Sequence, residues 1–94
     1  MNEVRIFGLA WWQPEQWSRL KQVSEDSDRL DDTYEEWRKG AHEAIRVMQS
    51  QGQIVKKVKI NLDKFITWCD EKNIPVNGAA RAEYAAYLLE HGKH

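Results

Sequence analysis

Between Leu30 and Met48 the apolar residues Leu30, Tyr34, Trp37, Ala41, Ala44 and Met48 recur at steps of 4, 3, 4, 3 and 4, with Ile45 widening the stripe. That is the period of one helix face, so this segment must be a long amphipathic helix with one side covered by the rest of the chain. Gly52 closes it. Thr33 followed by Glu36 matches a capping box, although the stripe already begins at Leu30, which leaves two possible starts.

The other elements follow from this anchor. Residues 3–10 (Glu-Val-Arg-Ile-Phe-Gly-Leu-Ala) carry branched and aromatic residues in partial alternation and predict a short first strand. Pro14 suits a first helical position, and Trp17, Leu20 and Val23 form a stripe, which predicts a helix over residues 14–25. The polar side chains of residues 24–32 compete with the backbone for hydrogen bonds and place a break there. Residues 54–60 predict a second strand, with Lys56 on its apolar face as at a sheet edge. Asn61 caps a third helix bearing Leu62, Phe65, Ile66 and Cys69, and Asn73-Ile74-Pro75 ends it. Asn77 caps a fourth, in which Tyr84, Tyr87 and Leu88 stand beside alanines and Gly92 closes the end. The expected architecture is α+β and mostly helical: about four helices on a two-stranded sheet, in the order β-α-α-β-α-α. Arg81 in the fourth helix, if half-buried, calls for a carboxylate, and the acidic segment is where one is available.

A chain of 94 residues and 11.1 kDa fits one domain over residues 1–94. By surface scaling about 5,600 Å² stays exposed out of about 16,000 Å² unfolded. Five tryptophans and 41% hydrophobic residues argue for a folded chain. A single cysteine rules out an internal disulfide and suits a reducing compartment. No run of 18 apolar residues occurs, and Glu3 and Arg5 stand where a signal peptide needs its apolar stretch, so the expectation is a cytoplasmic protein without a membrane partner.

The chemistry-bearing residues fit structural roles. Cys69, the sole thiol, has His42 as a conceivable base but lies among the apolar residues of its helix, where a packed, inert cysteine is expected. A calcium loop starting at Asp26 would put Leu30, Asp31 and Trp37 where an oxygen ligand, a glycine and a glutamate are required. His91 and His94 are separated by Gly92 near a fraying end. Glu35 and Glu36 diverge around their helix and are solvated. The glycines form neither GxGxxG nor a P-loop. The reading is a chain with no catalytic residue, no metal site and no cofactor.

What remains is charge and tryptophan. The 14 basic and 15 acidic residues nearly cancel but are segregated. Residues 24–36 hold seven acids against Arg29, and residues 53–64 hold Lys56, Lys57, Lys59 and Lys64 against Asp63. Trp17 and Trp37 lie on helical stripes and are expected in the core, with Trp68 at its border. Trp11 and Trp12 are adjacent, so in an extended chain they point to opposite faces, and at least one is expected to be exposed. Exposed tryptophans beside charge mark interaction surfaces. The first functional reading is therefore a non-catalytic protein-interaction module using Trp11, Trp12, Asp28, Asp31 and Asp32. The alternative is a nucleic-acid-binding regulator using Lys56, Lys57, Lys59 and Lys64 beside Phe65 and Trp68. A two-stranded sheet is too small to stand alone, so its edge is covered or paired, which favours a homodimer.

Overall fold

Two strands far apart in the chain lie side by side in the computed structural model, which describes residues 5–92. β1 (Ile6–Trp11) and β2 (Ile54–Lys59) run parallel, with Ile6 opposite Ile54 and Trp11 opposite Lys59. A parallel pair needs a long crossover. Here it consists of a 3-10 turn (Pro14–Gln16), α1 (Trp17–Val23), a second 3-10 turn (Ser27–Arg29) and α2 (Tyr34–Ser50). α3 (Leu62–Glu71) and α4 (Gly78–Glu90) follow β2. The α+β class and the β-α-α-β-α-α order are those the residue pattern implies. Glu3 and Val4, read as the start of the first strand, lie outside the described residues, and the strand continues through Trp11.

The register divides the sheet into two faces. Ile6, Gly8 and Ala10 share one face with Ile54, Lys56 and Val58, and α4 packs on it. A methyl group at Gly8 would sit 3.1 Å from the Ala85 carbonyl oxygen and 3.3 Å from Leu89 Cδ2, so the missing side chain lets strand and helix approach closely. α2 packs on the other face, where the Trp11 ring lies 5.0 Å from Trp37 and 5.1 Å from His42. The core gathers Trp12, Trp17, Leu20, Val58, Phe65, Cys69, Tyr84, Ala85 and Leu88, so every helix but α2 contributes a buried large side chain to it. From α2, Tyr34 and Trp37 pack against its edge.

Short polar residues set the helix starts. Thr33 accepts from the Glu36 amide at 3.2 Å, Asn61 from Lys64 at 3.1 Å and Asn77 from Ala80 at 3.0 Å. α2 thus begins after Thr33, and Leu30 meets the core from the preceding turn. The ends follow equally local rules. Gly52 and Asn73 adopt left-handed backbone at φ 83° and 56°. Gln53 then donates to the Met48 carbonyl at 3.1 Å and Ile74 to Cys69 at 3.0 Å, the Schellman arrangement. The first helix spans its stripe but is shorter than the predicted 14–25: Pro14 opens a 3-10 turn, and α1 runs from Trp17 to Val23.

A clasp joins the break after α1 to the start of α4. The Glu25 amide donates to the Val76 carbonyl at 2.8 Å, Asn77 Nδ2 to Glu25 Oε2 at 3.0 Å, and the Gly78 amide to Asp26 Oδ2 at 3.0 Å. Arg81 closes it with two bonds to Asp26, at 2.8 and 3.1 Å, and one to Ser24 Oγ at 3.2 Å. The carboxylate that Arg81 calls for is Asp26.

Candidate functional site

α3 and α4 diverge enough to leave an open cleft of about 530 Å³ between them, floored by aromatic rings. The Asn61 cap starts α3 so that Lys64 and Trp68, four residues apart, share one face. On α4, Tyr84, Tyr87 and His91 share the facing side in the same way. Trp68 lies 5.0 Å from Tyr84 and 6.3 Å from Tyr87, measured between ring centroids. Tyr84 and Tyr87 are nearly parallel at 6.2 Å, and His91 sits 4.5 Å from Tyr87. Four rings therefore form one continuous rank, from the half-buried Trp68 to the exposed His91.

Burial differs along the rank. Tyr84 is buried against Phe65, and this burial, with smaller contributions from Tyr87 and Cys69, pushes its hydroxyl above the ordinary tyrosine range, so it stays neutral. Tyr87 is 37% exposed, and its ring lines the open cleft. Charge surrounds the rings. Lys59 and Lys64 stand at the rim with Asp63 and Glu71, and Lys72 Nζ lies 5.0 Å from the Trp68 ring centroid in cation–π contact. Asp63 is already ion-paired with Arg19 of α1.

The tandem tryptophans occupy a different place from the one expected. Trp11 is 9% and Trp12 2% exposed, which corrects the expectation that at least one is open to a partner. They do point to opposite faces, but both faces are covered. Trp11 is enclosed by Trp37 and His42, with Lys57 Nζ 4.3 Å from its ring centroid, while Trp12 packs on Phe65 at 6.2 Å. Trp17 is in the core, whereas Trp37 and Trp68 are half-buried at its edge, so Trp37 lies further out than its stripe implies.

Asp28, Asp31 and Asp32 lie on the crossover, and all three are exposed. The Asp31 carbonyl accepts from Trp17 Nε1 at 3.2 Å, and the Asp32 carboxylate lies 3.5 Å from Lys21. Nothing among the described residues brings these carboxylates to the two buried tryptophans as one surface. The lysines divide as well. Lys56 is exposed on the α4 face, Lys57 folds over Trp11 on the α2 face, and Lys59 and Lys64 meet at the aromatic cleft.

Cys69 is buried in α3, and desolvation, assisted by Glu83, raises its thiol above the ordinary range, the opposite of an activated nucleophile. His42 packs edge-on to Trp11 instead. Among the described residues no three His, Cys, Asp or Glu side chains are grouped to hold a metal ion, and His94 lies outside those residues. None of the described helices is long and apolar enough to cross a membrane.

The cleft is only half visible in the residue pattern. Trp68 beside the lysines and the Tyr84, Tyr87 and Leu88 stripe are both local signals, but their convergence depends on how α3 turns into α4 at Asn73 and Pro75. The fold and cleft define a small α+β domain with a parallel strand pair and a solvent-open aromatic groove. Comparisons with protein-family models, with curated proteins and with solved structures find no match.

Proposed function

We propose that the chain is a small, non-catalytic protein-interaction module of the cytoplasm whose contact surface is the aromatic cleft between α3 and α4. The observation that carries this reading is the rank Trp68, Tyr84 and Tyr87 inside a rim of both charge signs, continued beyond the cleft by His91. Tryptophan and tyrosine in a water-accessible groove are what protein interfaces use as anchors, because each ring removes a large apolar area from water at little cost in side-chain entropy. Lys59 and Lys64 in one cleft with Glu71 suit a peptide segment of mixed charge. The lone cysteine suits a reducing compartment, which supports the cytoplasmic assignment.

A second reading is favoured by one specific observation: Lys59 and Lys64 line the same cleft as Trp68, a combination that suits a base stacked on the ring with its phosphate at a lysine. The same rim carries Glu71 and a paired Asp63, so few phosphates would be neutralised, and the protein reading is preferred.

The test compares wild type with a Tyr87→Ala, Lys64→Glu variant, both changes lying on the surface. Each tagged chain is used to capture material from host lysate, with and without nuclease. A protein retained after nuclease by wild type and lost by the variant, at unchanged circular dichroism, is the expected result. Nuclease-sensitive capture that weakens steeply with salt would move the nucleic-acid reading to first place. Capture that the variant leaves intact would remove the cleft from consideration.

A further inference from the structure

A two-stranded sheet has two free edges, and in this chain they differ in character. The Ile54 amide donates to the Arg5 carbonyl at 3.0 Å, which fixes the alternation along both strands. Arg5, Phe7, Leu9 and Trp11 turn their main-chain groups toward β2, so Ile6, Gly8 and Ala10 turn theirs away from it. Among the described residues these outward amides and carbonyls have no hydrogen-bond partner, and no third strand is present. On β2 the outward groups belong to Val55, Lys57 and Lys59.

Sheet edges are normally protected by lysine, proline, a bulge or a covering element. The β2 edge is protected in this way, because three of the strand's six residues are lysines. β1 reads Ile-Phe-Gly-Leu-Ala-Trp, with no charge, no proline and no bulge in its register with β2. Ile6 is 55% exposed, and residues 7–10 are all half-buried rather than covered.

We propose that the β1 edge pairs antiparallel with β1 of a second copy, about a two-fold axis near Gly8, joining the two sheets into one of four strands. In that register Ile6 faces Ala10 of the partner subunit, Gly8 faces its own equivalent, and each pair exchanges both N–H···O bonds. Charge selects this arrangement over the others. Pairing β2 with β2 would bring lysines against lysines, whereas β1 with β1 brings none together. Pairing the β1 edge of one copy with the β2 edge of the next would not close, and the lysines guard that edge against it. The two-fold pairing closes, uses the unprotected edges and produces a sheet of ordinary size. None of the β1 residues it uses lines the aromatic cleft, so it is tested separately from the proposed function.

The full-length chain is followed by sedimentation equilibrium from micromolar to millimolar concentration, with amide hydrogen exchange measured by NMR over the same range. The expected result is a monomer–dimer equilibrium in which the Ile6, Gly8 and Ala10 amides become protected as dimer forms, while Val55, Lys57 and Lys59 stay unprotected. Ile6→Pro removes one outward donor per chain at an exposed first strand position without touching the β1–β2 ladder, and should weaken the dimer about tenfold or more. A monomer at every concentration would overturn the proposal. So would a dimer that protects the β2 amides, or one that leaves Gly8 and Ala10 exchanging freely.

Discussion

Asp26 concentrates more structural work than any other polar residue in the described chain. Its carboxylate takes two bonds from Arg81 and one from the Gly78 amide, with both charged side chains largely out of water. The hydrogen bond from Arg81 holds the Asp26 carboxyl below the usual carboxylate range, its positive charge and the Gly78 amide acting in the same direction and burial against them. A depressed folded pKa stabilises the fold above the unfolded value, and that contribution is lost as pH falls through the folded value. Asp26→Asn should therefore lower urea-unfolding stability by about 2 kcal/mol at neutral pH. The gap to wild type should close as pH falls below about 4. A gap that persists undiminished in acid would show that packing, not charge, is what Asp26 supplies. The pairing was partly legible, since an arginine among alanines needs a carboxylate and residues 24–36 are rich in them. Which acid answers depends on where the crossover meets α4, and no local pattern encodes that.

The element boundaries were the most legible part, because a cap is a contact within three residues. Thr33, Asn61 and Asn77 each do what their neighbours imply. Their energies should nevertheless differ. Thr33→Ala and Asn61→Ala remove an exposed cap and should cost about 1 kcal/mol each. Asn77→Ala also removes the bond to Glu25 and should cost about 2 kcal/mol in thermal or urea unfolding. Equal losses at all three positions would mean that the tie to Glu25 contributes nothing. Strand direction was not legible, since alternation in residues 3–10 and 54–60 is the same for parallel and antiparallel pairing. The error at Trp11 and Trp12 follows from this. A parallel pair places helices on both faces, and only that double cover buries two tryptophans on opposite sides.

At the scale of the whole molecule, core and cleft separate cleanly in what their loss should do. The outline is flat, with extents of 42 × 29 × 19 Å. The described chain accordingly leaves 6602 Å² accessible to solvent. Scaling with mass gives only about 5,600 Å² for a chain of this size. So thin a body has little reserve. Trp12→Ala should cost about 3–5 kcal/mol, a large part of the roughly 5–15 kcal/mol that holds a small domain folded. Tyr87→Ala should change stability by about 1 kcal/mol or less, because its ring is already partly in water. Thermal denaturation of the two variants checks the division. A Tyr87 variant that melts like the Trp12 variant would assign the cleft to the core.

The direction of the strand pair also has a consequence in time. β1 is made first, but its partner does not begin until residue 54, after the entire crossover has been synthesised. A parallel pairing must wait for that long closure before any ladder bond repays its entropy. Throughout the interval the growing polypeptide carries an uncharged, aromatic six-residue segment with nothing to bond to. The helices of the crossover, the long α2 above all, are the only elements between the two strands, and in the folded chain it is α2 that covers the Trp11 face of β1.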